Sequence, residues 1–203
     1  MKINLEILNA SFIDAKKQIE ELNTKELVPK MMVRRRLTRS AKIAIYLASK
    51  IDMSNQRVVY GTAYGEPKAT QTILNSIKNQ EQISPTVFQN SVYNTAVSYL
   101  SMLTNNKSEI MTISSGDKTT KDLLNVGAIK ALDGDEIVLM YIETLHIDEI
   151  DKLNSCGQNL EIGVALKIKI SQEQATIHTN SCDIVNIAKR FDSNNKNIIE
   201  VNI

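Results

Sequence analysis

The chain has 203 residues, of which 42% are hydrophobic and 23% charged, and a formal net charge of +1. That is ordinary globular composition with room for one domain around a substantial apolar core, and it argues against a generic nucleic-acid binder. No apolar run has the length of a membrane span, Met1 to Ile7 lacks a signal-peptide layout, and Cys156 and Cys182 form neither a metal motif nor a disulfide framework, so a reduced cytoplasmic protein without metal or cofactor is expected.

Ile3, Leu5 and Ile7 alternate with polar residues and predict a half-buried strand. Phe12 to Leu22 reads as a helix with one polar face, and Pro29 punctuates the approach to the next element. From Met32 to Lys50 the stripe Val33, Leu37, Ala41, Ala44 and Leu47 predicts one continuous helix, with Arg34, Arg35, Arg36, Arg39 and Lys42 mostly off the stripe. Arg57 to Ala63 reads as a buried strand running into a Gly61 to Gly65 turn, and Ala69 to Lys78 as a helix. Ser84 or Thr86 is expected to cap a helix that continues to about Met102.

Glu109 to Ile113 reads as a short strand, Thr120, Leu123, Leu124, Gly127 and Ala131 as a helix face, and Glu136 to Ile142 as a buried strand. Further on, Val164 to Ile170 alternates with Lys167 and Lys169, predicting a strand with one wet face, and Gln174 to Thr179 is expected to pair with it as a hairpin. Ser181-Cys182-Asp183 opens a helix containing Ile184, Ile187, Ala188 and Phe191. Ser193 to Lys196 is a polar turn before a terminal strand from Ile198 to Ile203. The sum is a single α/β domain with a mixed sheet covered by helices.

Strand, polar turn, helix, strand is where open α/β sheets place their chemistry. Here the turn is Ser114-Ser115-Gly116-Asp117, and it has no cysteine. Asp117 is an acid at a helix start, which favours a plain N-cap or a carboxylate filling the charge position of a thiolate. Ser114 and Ser115 would need a base to act as nucleophiles, and no Gly-x-Ser-x-Gly elbow surrounds them.

Four segments carry a family resemblance. They are Met31-Met32-Val33-Arg34-Arg35-Arg36-Leu37-Thr38-Arg39, Val59-Tyr60-Gly61-Thr62-Ala63-Tyr64-Gly65-Glu66, Ser84-Pro85-Thr86-Val87-Phe88-Gln89-Asn90-Ser91-Val92-Tyr93-Asn94, and Thr112-Ile113-Ser114-Ser115-Gly116-Asp117. In this order and spacing the chain resembles the N-terminal half of a β-ketoacyl synthase of the thiolase superfamily. More closely, it resembles the short synthase-like subunits of aryl-polyene and related type II polyketide or fatty-acid systems. The resemblance implies one β-ketoacyl synthase-like N-terminal domain over residues 1–203, with the match strongest over 28–144. Full-length synthases fold two such halves together, and this chain has room for about one.

What the resemblance implies is specific. The nucleophile-equivalent position is Asp117, or Gly116 if the turn is counted back from Ile137, so no catalytic residue is assigned. Condensation also uses histidines, and this chain has only His146 and His178, each of which also reads as a surface or capping residue. An inactive, chain-length-factor-like subunit follows, paired with an active ketosynthase or with a second copy of itself. Phe88, Tyr93, Asn94, Tyr99 and Met102 are candidates for an acyl pocket or subunit interface, although aromatic and Met residues at helical spacing also fit a core. Arg34, Arg35, Arg36 and Arg39 are candidates for docking an acidic acyl carrier protein, or form a solvated face with intrachain ion pairs. The alternatives are a stand-alone acyl hydrolase or transferase using a serine of the 114–117 turn, and an acyl-carrier-protein binding module.

Overall fold

The computed structural model describes residues 1–53, 55–147, 160–177 and 183–203. In chain order these form β1 (Lys2–Ala15), α1 (Thr24–Leu27), α2 (Met31–Arg36), α3 (Arg39–Ala48), β2 (Arg57–Gly61), α4 (Pro67–Lys78), α5 (Pro85–Gln89) and α6 (Thr95–Thr104). There follow β3 (Ile110–Ile113), a 3-10 turn (Gly116–Lys118), α7 (Thr119–Ala131), β4 (Ile137–Thr144), β5 (Glu161–Ile170), α8 (Ile184–Arg190) and β6 (Asn197–Asn202).

The apolar runs of β2 and β4 exist because both faces of the sheet are covered. Val58, Tyr60, Val138, Met140 and Ile142 face one side, where α3 brings Ala41, Ala44 and Leu47 and α6 brings Ala96, Val97 and Leu100. Val59, Ile137 and Leu139 face the other, against Leu123, Leu124 and Ala128 of α7 and Ile184 and Ile187 of α8. The six-stranded sheet has the order β3-β2-β4-β5-β1-β6. β2 pairs in parallel with β3 and β4, while β4, β5, β1 and β6 run antiparallel in succession. The result is a mixed sheet between two helical layers.

Several local expectations are corrected. Residues 12–15 are strand, not helix: Phe12, Ile13 and Ala15 pair with Val164, Gly163 and Glu161 of β5. Only the four-residue α1 is helical before Pro29. Pairing with a distant strand overrides a local periodicity that supports either state. The helix expected over 32–50 breaks at Leu37, which is extended, and Thr38 caps α3 by accepting from Ala41 N–H at 3.1 Å. The helix expected over 84–102 is likewise two helices, separated by Asn90 to Asn94, and neither hydroxyl expected to cap it makes a side-chain cap at Ser84.

Lys167 is not on a wet face. Its stem is buried, and its ammonium lies 2.8 Å from Glu136 and 3.8 Å from Asp52. The described part of the expected hairpin joins β6 instead of β5: Thr176 and Ile177 donate their N–H groups to Ile198 O at 2.8 and 2.9 Å. The end of that segment (178, 179) lies outside the described residues. Asp183 caps α8 by accepting from Asn186 N–H at 2.9 Å, and the terminal strand forms as β6.

Candidate functional site

The parallel strands β2 and β3 end in two turns that meet. After β3, the chain enters Ser114 to Lys118 through Gly116, whose φ of +56° suits glycine. Thr119, buried at the first position of α7, holds this turn: its hydroxyl accepts from Ser115 N–H at 2.9 Å and donates to Gly116 O at 2.7 Å. Asp117 is not the expected N-cap. It lies inside the 3-10 turn, the cap position falls on Lys118, and its exposed carboxylate accepts from the Tyr64 hydroxyl at 3.2 Å. Ser114 donates to Ala63 O at 3.3 Å.

The turn after β2 is fixed from below by a buried carboxyl. Glu143 Oε1, at the end of β4, accepts from Thr62 Oγ1 at 3.1 Å and from Ala63 N–H, while Gly65 N–H donates to Thr62 Oγ1 at 3.0 Å. Gly65 has φ +67° and presses on Tyr93: a Cβ there would stand 3.2 Å from the ring. Tyr64 and Gly65 therefore tie this turn to Asp117 on one side and to the 90–94 segment on the other.

A second buried carboxyl, Glu66, accepts from Thr38 Oγ1 at 2.7 Å. Burial pushes both acids up to about 7, and the charge of Glu143 adds to the rise at Glu66. The phenol of Tyr60 beneath them is also pushed up, first by burial and then by the two carboxylates. Glu143 Oε2 is buried without a hydrogen-bond partner among the described residues.

Sequence patterning did not single out Glu143 or Glu66 as site residues. The available signal for Glu143 was an acid closing the apolar run of β4. Periodicity alone treats such a position as a strand end.

The interface candidates differ in exposure and surroundings. Phe88, Tyr93 and Met102 are 64%, 46% and 68% exposed, which removes the core alternative for these three. Asn94 is exposed at the N-cap position of α6, and the half-buried Tyr99 donates its hydroxyl to Asn90 Oδ1 at 3.1 Å. A groove of about 300 Å³ runs between α6 and the edge strand β3, past Asn94, Val97, Met102, Ile110 and Thr112.

The four arginines do not share one role. Arg39 turns inward and grips the buried Glu161 through Nε–Oε1 at 2.5 Å and Nη2–Oε2 at 2.7 Å. Arg34 donates to the carbonyls of Val28 (2.7 Å) and Pro29 (2.5 Å), while Arg35 and Arg36 are exposed. His146 is also on Glu161, at 2.8 Å, and not near the 114–118 turn by any described bond. His178, Cys156 and Cys182 lie outside the described residues. Among the described residues no cluster of His, Cys, Asp or Glu could hold a metal, and no helix is long and apolar enough to cross a membrane.

The family profile for the β-ketoacyl synthase N-terminal domain matches residues 10–198. The chain belongs to that family. Among solved structures, this β-ketoacyl synthase domain is similar to a chain of the ketosynthase (ApeO) in complex with its chain length factor (ApeC) from Xenorhabdus doucetiae. The TM-score is 0.69 at 19% identity, over 83% of this chain and 80% of that one. The ishigamide ketosynthase/chain length factor gives 0.64 at 13% identity, over 85% of this chain and 63% of that one. A β-ketoacyl synthase from Burkholderia phymatum STM815 gives 0.59 at 9% identity, over 84% and 60%. The chain thus spans less than two thirds of the last two. No curated protein matches it by sequence. The thiolase-like fold expected from the four segments is the fold found. For a β-ketoacyl synthase domain, the turn at 114–117 offers two hydroxyls, a glycine and a carboxylate, and no thiol.

Proposed function

We propose that this chain is a catalytically silent β-ketoacyl-synthase-like subunit that pairs with a cysteine-bearing ketosynthase and, like a chain length factor, helps shape or limit the acyl chain in an aryl-polyene-type pathway of the cytoplasm. One observation supports the reading: the turn after β3 is internally hydrogen-bonded and holds no thiol, and the family resemblance puts Asp117 or Gly116 at the nucleophile position. A carboxylate there cannot carry an acyl thioester.

The pairing part rests on the surface beside that turn. Among the described residues β3 is an edge strand, hydrogen-bonded to β2 on one side only, and an open edge is a template for another chain. Met102 lines the groove beside this edge, Phe88, Val92 and Tyr93 are exposed in the segment that precedes α6, and large apolar side chains left open in this way suit an interaction surface. A second copy of the chain could cover the same edge. Carrier-protein docking, if it uses the arginine segment, falls to Arg35 and Arg36, because Arg34 and Arg39 are engaged within the chain.

The rival hydrolase reading lacks geometric support. Among the described residues no hydrogen bond joins the Ser114 or Ser115 side chain to a histidine or carboxylate. The deciding experiment is co-expression with a candidate ketosynthase from the same gene neighbourhood, followed by an acyl-thioester probe. A co-purifying pair labelled only on the ketosynthase is expected; stable acylation of Ser115, or elongation by this chain alone, would refute the proposal.

A further inference from the structure

A cavity of about 400 Å³ reaches Glu66, after the end of β2, and Thr144, the last residue of β4. Its size falls among small-molecule sites, and open α/β sheets take ligands beyond the carboxyl ends of their strands. No lining residue belongs to the 114–118 turn or to the edge strand β3. The polar wall includes Arg39, Glu66, Lys68 and His146, and the apolar wall Ala69 and Val87.

The polar side chains are fixed in place and still have donors to give. Arg39 spends Nε and Nη2 on Glu161 and on Ile19 O, and no bond to a described residue takes Nη1. His146 meets Glu161 through Nε2, which leaves Nδ1 without a partner among the described residues. Lys68 has only Gln71 Oε1, at 3.5 Å, within reach. Glu66 holds the N-cap position of the 12-residue α4 without capping it, so N–H groups at the start of that helix add to the donors. With burial raising it to about 7, Glu66 is a neutral acid below that pH and does not repel an anion.

We infer that this cavity binds a small free monocarboxylic acid as its anion, the carboxylate on Lys68 and Arg39 Nη1 and a short aliphatic body against Ala69 and Val87. One carboxylate is the charge that fits. Arg39 and His146 both bear on Glu161, so Lys68 is the lining cation without a carboxylate partner among the described residues. A dianion would lack a second free cation. A nucleotide is disfavoured because no Phe, Tyr or Trp lines the cavity to stack on a base. The site is separate from the surfaces on which the proposed function rests, and it stands or falls independently of that reading.

The test titrates the full chain calorimetrically at about pH 6, where Glu66 is neutral, with sodium octanoate, with 1-octanol and with inorganic phosphate. Octanol lacks the charge, and phosphate lacks the body. Octanoate is expected to saturate one site per chain and to bind at least about ten-fold more tightly than either. Lys68→Ala should weaken octanoate about ten-fold while leaving octanol unchanged, and Lys78→Ala, on the same helix but outside the cavity, should bind like the parent. Ala69→Phe, which fills the cavity, should abolish binding; its unfolding midpoint shows whether the fold is kept, and Lys68→Ala, at an exposed position, carries the test if it is not. No saturable octanoate binding, equal affinity for octanol or for phosphate, or a Lys78→Ala loss as large as that of Lys68→Ala would overturn the inference.

Discussion

Arg39, in the first turn of α3, forms a two-pronged ion pair with Glu161 at the start of β5, 122 residues away, and thereby ties the basic segment to the antiparallel half of the sheet. Glu161 is buried and also accepts from Ile19 N–H at 2.8 Å and pairs with His146. Burial works against its ionisation, but Arg39, the Ile19 N–H and His146 together hold its carboxyl below the usual range.

Removing the cation strands the anion. Arg39→Ala is expected to destabilise the chain by about 3 kcal/mol, because a buried carboxylate loses its partner. Urea unfolding at pH 7 measures this, and R39A/E161Q should recover part of the loss. For Glu161 itself the folded pKa is depressed, so its stabilisation is present above the unfolded value and is lost as pH falls through the folded one.

Glu66 and Glu143 act in the opposite direction. Their folded values near 7 lie above the ordinary 4.5, so the folded state keeps protons that the unfolded state has released. Stability therefore declines as pH rises from about 4.5 to about 7, by on the order of 3 kcal/mol per carboxyl, and levels off above. Unfolding midpoints across that range should fall with pH, and Glu143→Gln should flatten the slope. An unchanged slope in that variant would remove Glu143 from the account.

Thr119 is the keystone of the turn that carries Asp117. Thr119→Val keeps the volume but deletes the bonds to Ser115 N–H and Gly116 O, for an expected loss of about 1–2 kcal/mol. Thermal unfolding should show the loss, and limited proteolysis should cut sooner between residues 114 and 118.

The partner face separates binding from folding. Phe88→Asp and Val92→Asp alter exposed side chains, so monomer stability should stay within about 0.5 kcal/mol of the parent. Co-purification with the ketosynthase should nevertheless drop sharply. Unaltered pairing would move the interface elsewhere.

The order and polarity of the amino acids alone determined the α/β class, the buried strands β2 and β4, the strand-turn-helix at 110–131 and the family resemblance, because each is written in local alternation or in a short spaced pattern. That patterning misread 12–15 as helix and ran α2 into α3, because Leu37 stays buried across the break and a periodic stripe cannot register it. Only the tertiary structure decided that Arg39 is consumed by Glu161, that Lys167 is paired, that Asp117 answers to Tyr64, and that Glu66 and Glu143 form a buried acid pair. Each of these depends on residues distant in the chain meeting in a low-dielectric interior, where burial and neighbouring charge, which no local pattern encodes, fix the chemistry of a side chain.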